Sequence, residues 1–172
     1  MKYNTNRTNR AREILTILLA AVVVAGILWV ITGEGRADTA TAWVICQPGD
    51  YINVRERAST KSGAIGRLDP GDEIHITGNT GNGFAEIADM PLETGSGAWV
   101  YAGYIVLDEP ELYMDEMEVI GTARVAARRN CCGDIRCWLE PGTVVQVFWK
   151  SEEWCVTNRG FIRTEYLEVG SV

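Results

Sequence analysis

Cys131, Cys132, Cys137 and Cys155 crowd into the last third of the chain, with Cys46 alone far upstream. Thiols at such spacing form disulfides in an oxidising compartment or hold a thiophilic metal. The adjacent Cys131 and Cys132 are followed by Gly133-Asp134-Ile135-Arg136 before Cys137, so the paired C-x2-C knuckles of a four-thiolate zinc site are missing. The expectation is therefore no metal and no other cofactor. At least one disulfide is expected, stapling the 131–137 loop to a later strand that carries Cys155, with the pairing among the four left open. Cys46 reads as a small buried strand residue.

Catalysis has little to work with. His75 is the single histidine and lies in Glu73-Ile74-His75-Ile76. If Ile74 and Ile76 point inward from a strand, His75 faces solvent. No cysteine is placed beside it as a nucleophile. The chain is expected to bind rather than to react, with no catalytic residue. Rings with a polar edge serve a binding groove at low entropic cost. Tyr51, which precedes a β-like run, and Trp149, which ends one, are candidate ligand-binding residues together with Tyr101 and Trp154.

The elements that must position these groups begin with residues 14–32, nineteen residues without a charge. A helix of that length spans roughly the hydrocarbon core of a bilayer, and its apolar side chains cover every face. Lys2, Arg7, Arg10 and Arg12 precede it, whereas residues 33–172 carry 12 basic and 22 acidic side chains. The positive-inside rule then places the N-terminus in the cytoplasm and the body outside. The expected localisation is the cell membrane, by a single pass, with the C-terminal domains extracytoplasmic. Ala40-Thr41-Ala42 before Trp43 has the small-x-small pattern of a processing site, so secretion after cleavage there is the alternative. A net charge of -7 argues against phosphate-backbone binding, and no nucleic acid is expected as a partner.

Past Trp43 the sequence repeats. Ile52-Asn53-Val54-Arg55, Leu68-Asp69-Pro70-Gly71, Ile74 and Ile76, Trp99-Val100 and Tyr104-Ile105 are matched by Val125-Ala126-Ala127-Arg128, Leu139-Glu140-Pro141-Gly142, Val145 and Val147, Phe161-Ile162 and Tyr166-Leu167. Each Pro-Gly pair supplies a turn, and the apolar residues after it alternate with period two. The fold class expected is all-β, with two small barrels behind one transmembrane helix. The chain divides into a basic cytoplasmic tail (1–12), a transmembrane signal anchor (13–32), a linker (33–42), a first domain (43–107), an acidic linker (108–118), a second domain (119–168) and a tail (169–172). Six acids fall within 108–118, which reads as a solvated spacer. The 89–98 stretch before Trp99 reads as a long loop of the kind that often carries specificity.

An Asn-Val-Arg start, a Leu-x-Pro-Gly-Asp centre and a Trp-Val…Tyr-Ile end resemble the bacterial SH3-like (SH3b, SH3 type 3) domain family, over about 43–107 and 119–168. The resemblance implies small β-barrels acting as attachment modules, often for peptidoglycan. It also implies structural roles for Trp99, Tyr104, Phe161 and Tyr166, which match the family's closing strand. In that family a catalytic domain usually sits elsewhere in the same chain, and the anchor, linkers and two copies leave no span for one here. The function implied is a membrane-anchored extracytoplasmic binding protein whose tandem modules attach to cell-wall peptidoglycan peptide or glycan. The alternative is a structural or interaction subunit that holds a protein partner in a membrane complex. The first copy carries 4 bases and 8 acids and the second 7 and 6, a divergence that favours the alternative.

Overall fold

A computed structural model of the protein describes residues 39–90 and 97–170. Within them the regular elements are fourteen strands and two 3-10 turns. The first domain contains β1 (Ala40–Val44), β2 (Ile52–Arg55), β3 (Ala64–Leu68), β4 (Glu73–Gly81), β5 (Phe84–Ile87), β6 (Ala98–Tyr101) and β7 (Ile105–Val106). They form one antiparallel sheet in the order β3-β2-β6-β5-β4-β1-β7. The second contains β8 (Glu111–Val119), β9 (Val125–Arg128), β10 (Ile135–Leu139), β11 (Val144–Lys150), β12 (Trp154–Thr157), β13 (Gly160–Arg163) and β14 (Leu167–Glu168). Its order is β10-β9-β13-β12-β11-β8-β14, the first order with every label raised by seven. The repeat in the sequence is thus a repeat of topology.

Alternation explains the strands. Ile52 and Val54 in β2 and Ile74 and Ile76 in β4 are buried, as are Val125 and Ala127 in β9 and Val145 and Val147 in β11. Their sequence neighbours point outward, as period two requires. Leu68 at one edge of the first sheet and Ile105 at the other share a single core cluster, and Leu139 and Leu167 do so in the second. Each sheet therefore curls around its own core, which the twist of β-strands permits.

The turns repeat as well. Asp72 N–H donates to Asp69 O across Pro70-Gly71, and Thr143 N–H donates to Glu140 O across Pro141-Gly142, each at 3.1 Å. Gly71 and Gly142 have φ of 93° and 83°, so both are type II turns with Pro and Gly at the central positions. Between β4 and β5 the chain reverses through Asn82-Gly83, with φ of 52° and 80°, the type I′ geometry of a two-residue hairpin.

The acidic segment departs from the expectation of a spacer. Residues 111–119 are β8, which lies inside the second sheet between β11 and β14. Met117 and Val119 enter the core, while the carboxylates of β8 stay at the surface. The charged faces of a strand dominated the sequence pattern and hid its two-residue apolar period. The second domain accordingly begins at the start of β8, ahead of residue 119, and a fragment of 119–168 lacks an interior strand.

The two domains are docked rather than strung apart. Ile45 and Val106 of the first pack with Trp154, Val156 and Phe161 of the second in one buried cluster. Tyr104 meets Phe161 edge-on at 5.8 Å. Cys131 N–H donates to Gly103 O at 2.9 Å, and Gln47 Nε2 donates to Thr157 O at 2.6 Å. Among the described residues no helix is long and apolar enough to cross a membrane. The expected anchor, residues 13–32, lies outside the described residues, as do residues 91–96 of the expected 89–98 loop.

Candidate ligand groove between the domains

Tyr51 and Tyr101, two of the four aromatic candidates, come together. They line a groove of about 700 Å³ on the first domain, closed on one side by Arg129, Asn130 and Arg136 of the second. Tyr51 sits immediately before β2 with its ring exposed, and the Arg67 guanidinium stacks 4.1 Å from the ring centroid. Tyr101 ends β6. Its ring packs edge-on against Phe84 at 5.3 Å and lies 6.0 Å from the Tyr104 ring. A Cβ on Gly83 would come 3.1 Å from the Tyr101 ring, so the hairpin glycine also fixes the position of that ring.

Burial raises the Tyr101 phenol above its ordinary range, helped by Cys132, Tyr104 and Asp134 nearby. The hydroxyl is therefore neutral at physiological pH and available as a donor. Arg55, Arg129 and Arg136 face a single carboxylate, Asp50, across the groove. Arg55 is partly committed: its Nη1 donates to Ser62 O at 2.6 Å and closes the loop after β2. Arg128 Nη1 donates to Gly133 O at 3.0 Å in the same way. The arrangement offers flat ring surface, amide and phenol donors and a modest positive field, which suits a polar ligand with apolar faces.

Trp149 and Trp154, the other two candidates, lie elsewhere. Trp154 is 5% exposed within the inter-domain cluster, and Trp149 packs against that cluster with its ring close to Gly71. Their area stabilises the docking of the domains, and Trp154 also lines a separate concavity on the second domain. Asn130 and Arg136 were not candidates from sequence, because nothing in either copy says that one domain walls the groove of the other. The basic excess of the second copy was their only trace.

The expected disulfide staple is not formed: all five cysteines are free thiols. They serve different surroundings. Cys131 packs against the inter-domain cluster, Cys132 is exposed, and Cys137 packs against the second core. Cys155 is fully buried in that core with its Sγ 3.5 Å from Thr164 Oγ1. Cys46 is buried under the groove, and its burial, followed by Asp50, Asp69 and Asp72, pushes the thiol up to about 12. His75 carries its ring outward from β4, with Nδ1 2.6 Å from Asp89 Oδ2.

The Cys46 environment has a measurable consequence. A thiol titrating near 9.0 when unfolded and near 12 when folded holds its proton longer in the folded chain. Its contribution is intact below pH 9 and is lost as pH rises toward 12. Cys131, Cys155 and Tyr101, all raised mainly by burial, act with the same sign. Urea unfolding under reducing conditions should show stability falling by about 1 kcal/mol or more per pH unit above pH 9, with a shallower slope in Cys46→Ala. A pH-independent stability between pH 8 and 10.5 would contradict the burial assigned to these groups.

Residues 50–106 match the family model of the bacterial SH3 domain. The bacterial SH3 match runs from the groove residue Asp50 to the end of β7, and so contains Tyr51, Arg55 and Tyr101. The second domain lies outside it. No curated protein matches the chain. Among solved structures, the chain is similar to NlpC1 from Trichomonas vaginalis, with 12% identity and a TM-score of 0.32 over 80% of this chain and 48% of that one. It is similar to NlpC2 from the same organism, with 11% identity and a TM-score of 0.33 over 79% and 50%. The chain spans about half the length of those two structures.

Proposed function

We propose that the chain is a non-enzymatic binding protein whose two SH3-like domains attach to cell-wall peptidoglycan peptide or glycan outside the cytoplasm, tethered by residues 13–32 in the membrane. The observation that carries this reading is the groove lined by Tyr51 and Tyr101, within the span of the bacterial SH3 match. Rings with neutral and cationic donors beside them suit short peptides and sugars, which present apolar faces beside amides and hydroxyls. Because Arg129, Asn130 and Arg136 complete the groove, the docked pair of domains forms the binding unit.

Leu112 and Met114, exposed on β8 at 60% and 57%, favour a second reading in which this strand faces a protein partner of a membrane complex. Sedimentation of the 33–172 fragment with isolated bacterial cell wall separates the two. Saturable co-pelleting is the result expected. A fragment that stays in the supernatant at every wall concentration, while membrane proteins co-purify with the full chain, would favour the partner reading instead.

A further inference from the structure

The groove has a counterpart. In the first domain Phe84 pairs with Tyr101 and Arg55 with Trp99; in the second Trp154 pairs with Arg163 and Arg128 with Phe161. Val44 faces Ile105 in the first domain as Val119 faces Leu167 in the second. These registers make Phe84 equivalent to Trp154, Tyr101 to Arg163 and Tyr104 to Tyr166. Tyr51, just before β2, corresponds to Arg124, just before β9. The residues equivalent to the first groove line a separate concavity of about 510 Å³ on the second domain.

Its chemistry differs at two positions, because Tyr51 and Tyr101 are replaced by arginines while Tyr104 is kept as Tyr166. Arg124 lies 5.9 Å over the ring of Trp138, and Arg163 lies 4.5 Å over the ring of Trp154. A guanidinium over an indole face still has N–H groups at its edge to offer an anion. Arg163 gives one edge to Glu153 at 2.8 Å, and Arg124 sits only 3.8 Å from Glu140 with both side chains largely exposed. Arg124, Arg128 and Arg163 line the concavity with Glu165, and Glu140 and Glu153 lie beside two of them. The contact of Arg124 with Glu140 is long and exposed, so this guanidinium can turn to an incoming anion.

We infer that this concavity of the second domain is a second ligand site, selective for a carboxylate-bearing peptide, with Arg124 and Arg163 as its clamps. It deepens the proposed function, since it supplies a second point of attachment of different preference on the same polymer. Two linked sites raise avidity without either being tight.

The test uses the full chain in detergent, labelled with 5-fluorotryptophan and observed by 19F NMR, with acetyl-Ala-Glu-Ala-amide and acetyl-Ala-Gln-Ala-amide as probes. The glutamate peptide should shift the Trp138 and Trp154 signals saturably. The glutamine peptide should bind about tenfold more weakly, the scale of one lost charged hydrogen bond. Arg124→Gln, an exposed change that leaves the core intact, should weaken the glutamate peptide by a similar factor. Equal binding of the two peptides, the same shifts from inorganic phosphate alone, or an Arg124→Gln variant that binds like wild type would each overturn the inference. If the signals stay fixed while the chain still pellets with wall, the second site falls and the proposed function stands. Selective shifts without wall binding leave the site and remove the function.

Discussion

Deletion of residues 108–118 unfolds the second domain. The segment has the composition of a spacer, yet β8 pairs with β11 from Val144↔Glu118 to Lys150↔Glu111 and carries β14 on its other side. Removing it strips Met117 from the core and separates β14 from the sheet. The expected loss is the whole stability of a small domain, roughly 5 kcal/mol or more. A fragment of 108–170 should accordingly fold where 119–168 does not, as judged by cooperative urea unfolding. A deletion variant that unfolds with the wild-type midpoint would show that β8 is not part of the domain.

Phe161→Ala uncouples the two domains as well as weakening the second. Phe161 is 2% exposed, belongs to the cluster that joins the domains, and meets the Tyr104 ring across the seam. Truncation of a buried phenylalanine costs about 3–5 kcal/mol, because a cavity replaces its contacts. Here the cavity opens at the junction, so the single thermal transition expected of the wild type should split into two in the variant. Phe161→Leu, which keeps most of the volume, should restore most of the coupling. A Phe161→Ala variant with one unshifted transition would show that the seam contributes little.

Much of the fold was legible because each copy carries its own punctuation. The Pro-Gly turns, the Ile74/Ile76 and Val145/Val147 alternation and the outward His75 all follow from local rules of backbone geometry and strand parity. The acidic strand was hidden because six carboxylates were weighed as a solvated run, although Met117-x-Val119 carried the period of a half-buried strand. The site was legible in part. Tyr51 and Tyr101 reach the groove because they flank strands of the first copy, which local pattern reveals. Trp149 and Trp154 have the same composition signature and lie at the seam, because large rings serve a domain interface as readily as a ligand. Which rings face the partner domain depends on docking, a long-range property that neither copy encodes by itself. The cysteines misled for a related reason: proximity in sequence placed Cys131, Cys132 and Cys155 together, whereas the turn after β9 and the strand β12 send them to seam, surface and core.

The affinity of Tyr101→Ala for isolated cell wall tests most directly whether the Tyr51–Tyr101 groove binds the wall. The comparison belongs on the intact 33–172 fragment, since residues of both domains build the groove. Loss of a contributing ring contact typically costs about 1–2 kcal/mol, which is roughly a five- to thirty-fold weaker half-saturation in the pelleting assay. Tyr101→Phe, which keeps the ring and removes the phenol donor, should fall between the two. A folded Tyr101→Ala variant that pellets at the wild-type wall concentration would contradict the assignment of the groove.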